Sequence, residues 1–302
     1  MKKIFIWLGL SILMMIYWIA GIMIGNMIFP SELIGMSDNS QSNAQLILLF
    51  TCALNTGVVL YFIYHSHIRG WKLAGTVFLV IFGIQYFMSQ IETLWFNDSL
   101  NMPVNTIFAV VSGGAFSTLL FSVTATWFTG NFSSLKESAG IRTTVDTVPM
   151  VKKILLLSFI IWPLIYFLAG YLIAWQFAAV RQLYSGTTEM APFLSIMEAN
   201  FASGLYFFQI FRGALWILIA LPALAVMKGS RIHKGVILGL LIAFLGSSQL
   251  LLPNPIMSGT VRMAHLLETA SSDFLWGFII AWYLEKNITK TPLEEVLSEP
   301  TG

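Results

Sequence analysis

Val261-Arg262-Met-Ala-His265-Leu-Leu-Glu268-Thr-Ala-Ser-Ser-Asp273-Phe-Leu-Trp276-Gly-Phe-Ile-Ile-Ala-Trp-Tyr-Leu284 is an apolar run carrying four ionisable side chains. At ~1.5 Å per residue, about 20 residues in a helix cross the ~30 Å hydrocarbon core of a bilayer, so this run is long enough to span. An ionisable group in hydrocarbon costs several kcal/mol, and a membrane helix that keeps four of them needs partners, water or a function. The rest of the chain decides whether a membrane is the right solvent.

Seven further apolar runs precede it, and spans are expected near residues 4–25, 44–65, 71–91, 105–128, 153–174, 203–227, 235–253 and 261–284. Of the 302 residues, 57% are hydrophobic and only 10% charged, with a mean hydropathy of +0.79. Soluble domains average about 25% charged residues, so the chain reads as an all-α, polytopic membrane bundle of eight transmembrane helices. The first run follows Lys2 and Lys3 but is too long for a signal-peptide core and is read as retained.

The basic residues give an orientation. Lys2, Lys3, Arg69, Lys72, Lys136, Arg142, Lys152, Lys153, Lys228, Arg231, Lys234, Lys286 and Lys290 fall on one side of the eight-span arrangement, 13 of the 16 Lys and Arg. The positive-inside rule then places both termini in the cytoplasm of a cell (plasma or inner) membrane protein. No basic stripe suited to nucleic acid is present. The single cysteine, Cys52, lies inside an apolar run, which leaves neither a disulfide framework nor a cysteine metal cluster. Residues 129–152 read as a cytoplasmic linker and 285–302 as a solvated cytoplasmic tail. Residues 187–200, on the other side, read as a short interfacial helix or lid.

The two halves, 1–128 and 153–284, look alike. Tyr17-Trp-Ile-Ala-Gly21 matches Tyr166-Phe-Leu-Ala-Gly170, and each follows a Lys-Lys pair. Ala115, Ser117, Leu120 and Trp127 match Ala270, Ser272, Leu275 and Trp282 without a gap. Gly75 and Gln85 match Gly239 and Gln249, and Gly57 pairs with Gly213. A 4+4 tandem repeat is therefore expected. Four helices per copy is an even number, so the repeats run parallel, an arrangement that places sites between halves in transporters.

Counted up from the basic end, Asp273 lies about 16 Å, Arg212 about 22 Å, Glu268 about 24 Å and His265 about 28 Å into the bundle, with Gln85 and Gln249 near 21 Å. Glu92 and Arg262 come out at roughly 31–33 Å. Arg212, Glu268, Gln249, Gln85 and Asp273 are thus the expected substrate-binding level, and His265, Arg262 and Glu92 an entrance with a proton relay. Arg262, His265, Thr269, Asp273 and Trp276 share one helix face, which should turn toward the bundle or a water-filled cavity. An ion pair of Arg212 with Glu268 or Asp273 is the structural alternative.

Arginine stays protonated and offers a two-pronged donor to carboxylate or phosphate, which points to a small anionic solute. Buried carboxyls and a histidine can carry protons. His265 and Glu268, one turn apart, are thin candidates for a metal, since zinc usually takes several His or Cys ligands. His65, His67 and His233 lie at the basic boundary, across the membrane. No nucleophile elbow, zincin motif or phosphate loop occurs, and no cofactor is expected. Three functions remain: a permease of a small anionic solute, coupled to protons; a membrane-embedded enzyme acting on a lipid or quinone through His265 and Glu268; or a non-catalytic subunit of a homo- or hetero-oligomeric membrane complex.

Overall fold

A computed structural model describes residues 1–30, 41–132, 141–254 and 256–292. Lys136, Pro255 and the acidic end of the tail, Glu294, Glu295, Glu299 and Pro300, lie outside the described residues. The eight expected helices are found as α1 (Lys2–Ile28), α2 (Gln41–Tyr64), α3 (Gly70–Trp95), α4 (Val104–Phe128) and α5 (Thr147–Gln176), then, after two short outer helices, α8 (Leu205–Val226), α9 (Arg231–Leu251) and α10 (Gly259–Leu284). The outer helices are α6 (Ala178–Ser185) and α7 (Phe193–Ala202), the latter overlapping residues 187–200, the segment expected to form a short interfacial helix or lid.

Seven of the eight long helices are apolar and long enough to cross a membrane. The eighth, α10, has the length, but Arg262, Glu268 and Asp273 lower its hydropathy. Ile12, Ile16, Ile19, Phe159, Ile160 and Leu218 stand exposed on the outer faces of α1, α5 and α8. Apolar side chains in such number on the outside need lipid around them, and the bundle is that of a multi-pass membrane protein.

Two helix pairs pack along most of their length, α1 on α4 and α9 on α10. Glycines set the first crossing: a Cβ on Gly21 would lie 2.5 Å from the Gly113 carbonyl oxygen, and one on Gly25 would collide with that of Ala109. Only a hydrogen in these positions lets the backbones approach, as small residues do in membrane interfaces. Gly113 belongs to a run of small residues, Ser112-Gly113-Gly114.

Irregular turns interrupt the helices that surround the interior. A π-helical turn, Phe82–Met88, lies within α3, another, Leu157–Ile161, within α5, and α9 ends in a tighter turn, Ser248–Leu251. The second has a visible cause. Pro163 has no N–H to donate and its ring crowds the carbonyl of Phe159, so the ladder before it widens.

At the basic end, the linker and the start of the tail pair with each other. Residues 141–145 (β1) and 288–292 (β2) form an antiparallel two-stranded ladder. Lys153 Nζ donates to the Tyr283 carbonyl at 2.9 Å and to Asn287 Oδ1, fastening α5 to the end of α10. Lys234 Nζ meets Glu285 at 2.6 Å, and the Arg231 guanidinium lies 3.9 Å from the centre of the Trp282 ring.

Candidate functional site

α3 runs away from the basic end and α8 runs back toward it, so the end of one and the start of the other meet at the opposite end of the bundle. There a cavity of about 510 Å³ opens among α3, α5, α8, α9 and α10, roofed by α6 and α7. Glu92, Arg212, Gln249, His265, Glu268 and Asp273 all line it. Six of the eight residues singled out from the sequence are thus brought to one space.

Two are not. Gln85 sits in the π turn of α3 and faces a separate pocket of about 10 Å³ with Tyr86, Ser117 and Thr118. Its register with Gln249 does not bring the two amides into one cavity. Arg262 is also missing from the cavity wall; its Nη1 donates to the Met257 carbonyl at 3.0 Å and ties down the loop before α10.

The pairing also differs from expectation. Arg212 does not bond Glu268 or Asp273. Its two terminal nitrogens each donate to one oxygen of Glu92, at 2.8 Å and 2.8 Å, and Nη1 also donates to Gln209 Oε1 at 3.1 Å. Glu92, expected at the entrance, is thus bonded to Arg212, expected at the substrate level. Gln209 Oε1 in turn accepts from Trp162 Nε1 at 3.1 Å. The rings of Trp162, Tyr166 and Phe208 surround the guanidinium, with centres 5.8–5.9 Å away. A charge this enclosed gains from the ring faces as well as from its partner.

The second pair lies within α10. His265 Nδ1 and Glu268 Oε2 share a hydrogen bond of 2.8 Å, as expected for residues one turn apart. Nε2 of His265 is buried with no hydrogen-bond partner. The Tyr184 ring on α6 meets the imidazole edge-on at 5.6 Å. Burial, and then the charges of Glu92 and Glu268, raise the Tyr184 hydroxyl above its ordinary value, so it faces the cavity as a neutral donor.

Asp273 stands apart. It is 6% exposed, lines the cavity, and among the described residues no group donates a hydrogen bond to it. The bareness of two glycines makes room for the carboxylates. A Cβ on Gly246 of α9 would lie 2.8 Å from Asp273 Oδ2, and one on Gly170 of α5 would lie 3.3 Å from Glu268 Oε1.

Gln209, Trp162, Gly246 and Asp98, the last on the turn Asn97–Leu100, were not singled out from the sequence. Gln209 had a signal, since it precedes Arg212 by three residues and so shares its face. Trp162, Gly246 and Asp98 had none. For the metal reading, among the described residues no group of three His, Cys, Asp or Glu side chains is placed to hold an ion. His265 and Glu268 bond each other, and Glu92 is bound to Arg212. Comparison with known proteins finds no family model, curated protein or solved structure that matches the chain, and the cavity's own chemistry has to carry the functional reading.

Proposed function

We infer that the chain is a permease of the cell membrane with eight spans and both termini inside, which binds a small solute in the cavity and couples its movement to protons. The observation that carries this reading is the gathering of Glu92, Arg212, His265, Glu268 and Asp273 around one open space rather than in closed packing. Ionisable groups inside a membrane bundle mark solute and proton paths. The capture of an anion by Arg212 loses its footing, because both terminal nitrogens already bind Glu92. Arg212 acts as the holder of Glu92 instead.

A duplicated scaffold fits the contacts as well as the letters. In the repeat register, Gly21 and Gly113 correspond to Gly170 and Glu268, and both pairs face each other. Gly25 and Ala109, in contact across α1 and α4, correspond to Ala174 and Ala264, which share one apolar cluster.

Proteoliposomes under an imposed pH gradient test the reading. They are given a defined mixture of small amines, carboxylates and sugars, and the lumen is read by mass spectrometry. Accumulation of one class above protein-free liposomes, lost in Glu268→Gln, is the expected result; no accumulation of any class refutes it.

One observation favours a second reading, an embedded enzyme. His265 is oriented by Glu268 and keeps Nε2 unpartnered, the arrangement of a general base. A product that appears when the protein is incubated with lipid extract or quinone, and is lost in His265→Ala, would establish it.

A further inference from the structure

We propose that the cavity takes an amphipathic organic cation, and that this cation and a proton compete for the Asp273 carboxylate. This deepens the permease reading and rests on it for transport, though not for binding.

Each acid around the cavity but one has a bonded partner or open water. Arg212 on α8 is matched by Glu92 on α3 through two hydrogen bonds. Glu268 on α10 shares a hydrogen bond with His265 Nδ1. Asp98 is exposed at the rim and free to hydrate. Asp273 remains, 94% withdrawn from solvent by its 6% exposure, facing the cavity without a donor. The charged groups that act on it are Arg212 from α8, Glu92 from α3 and Glu268 from its own helix. The walls contributed by α5 and α9, and the roof of α6 and α7, carry no charged side chain.

A lone carboxylate in such surroundings is costly to keep ionised and unpaired. Two species relieve it, a bound proton or a bound cation, and they exclude each other. Arrival of a monocation at Asp273 therefore releases one proton, and its departure takes one up, so charge in the site is unchanged. On a site open in turn to either side, that competition is one-for-one exchange of cation for proton.

The walls select an organic cation over a metal ion. Trp95, Trp162, Tyr166, Trp175, Tyr184 and Trp216 line the cavity. Aromatic faces attract an alkylated ammonium and bury its apolar body. They give little to a hydrated inorganic ion, which loses water there and finds few oxygens in return. An acidic solute would meet Asp273 and Glu268 with no free guanidinium to answer its charge.

Purified full-length protein in nanodiscs provides the test, with benzyltrimethylammonium and tetraphenylphosphonium as probes and benzoate as the acidic control. Calorimetry in buffers of differing ionisation enthalpy counts protons released per probe bound. The expected result is binding of a cationic probe with about one proton released, and an affinity about tenfold weaker per pH unit on the acid side of the competition. Asp273→Asn should abolish proton release. Should that variant fail to fold, Gly246→Ala, whose methyl would press on Asp273 Oδ2, should weaken cation binding and leave the fold intact. Binding of benzoate in place of the cations overturns the proposal, as does cation binding without proton release, displacement of the probe by millimolar sodium, or no binding of any probe. Proton-linked binding with no exchange flux in proteoliposomes supports the role of Asp273 and refutes the permease reading alone.

Discussion

Replacing Arg212 and Glu92 by methionine, singly and together, exposes how unevenly this pair is solvated. The Arg212 side chain is 4% exposed and that of Glu92 32%. Glu92→Met leaves a guanidinium enclosed by Trp162, Tyr166 and Phe208, with Gln209 as its remaining acceptor. Orphaning one member of a buried pair costs about 3–5 kcal/mol, and the remaining Gln209 acceptor sets the expected cost at the lower end, about 3 kcal/mol. Arg212→Met leaves a carboxylate that is a third exposed and can rehydrate from the cavity. Solvent screening reduces that cost to about 1–2 kcal/mol. The double variant has neither orphan, and an apolar pair of similar volume should bring it within about 1 kcal/mol of the wild type. The coupling is then about 3–5 kcal/mol. Unfolding of the purified protein by SDS in mixed micelles, followed by tryptophan fluorescence, measures all four species. Equal costs for the two single variants, or costs that add in the double to within about 0.5 kcal/mol, would refute the reasoning.

Three further outcomes are expected. Gly21→Ala forces a methyl to 2.5 Å from the Gly113 carbonyl oxygen and should cost about 1–3 kcal/mol in the same SDS assay, whereas Gly9→Ala, with open space around it, should change stability by less than about 0.5 kcal/mol. Trp162→Phe removes the donor to Gln209 Oε1 and should destabilise by about 1–2 kcal/mol, read as a lower melting temperature in detergent. Lys153→Met frees the Tyr283 carbonyl and Asn287, and hydrogen exchange should quicken over residues 284–292 while the centre of α10 stays protected.

The helices were legible because the bilayer sets a length that an apolar run either reaches or misses. Even α10 could be read, since its charges punctuate a run that is otherwise long enough. The Arg212–Glu92 pair was hidden by a depth count that placed the two residues about 10 Å apart. That count treats side chains as points at their Cα. Side chains in a helix lean toward its N-terminus. The N-terminus of α8 is at the cavity end and that of α3 at the basic end, so Arg212 leans outward and Glu92 leans inward, each toward the other. The π turn Phe82–Met88 adds to this, because wider turns advance the chain less per residue and bring Glu92 nearer than a regular helix would. Neither effect shows in hydropathy. Pro163 was the one sequence mark of an irregular turn, and nothing comparable precedes the π turn of α3.

Seen through the proposed repeat, the site has a simple steric origin. In the first half, Gly21 meets Gly113 and the two backbones close on each other, which leaves no volume between α1 and α4. In the second half, α5 keeps its glycine, Gly170, while the position across from it is Glu268. A glutamate cannot sit where two backbones touch, so α5 and α10 meet over a much shorter stretch than α1 and α4 do. The space that opens is lined by whatever those helices carry on their facing sides, including Tyr166, His265, Thr269 and Asp273. One side-chain difference therefore both creates the gap and makes it polar, and the retained glycine allows the carboxylate to lie flat against α5 instead of pushing it farther away. The first half has no acid at the corresponding position, and there Gly21 and Gly113 stay in backbone contact.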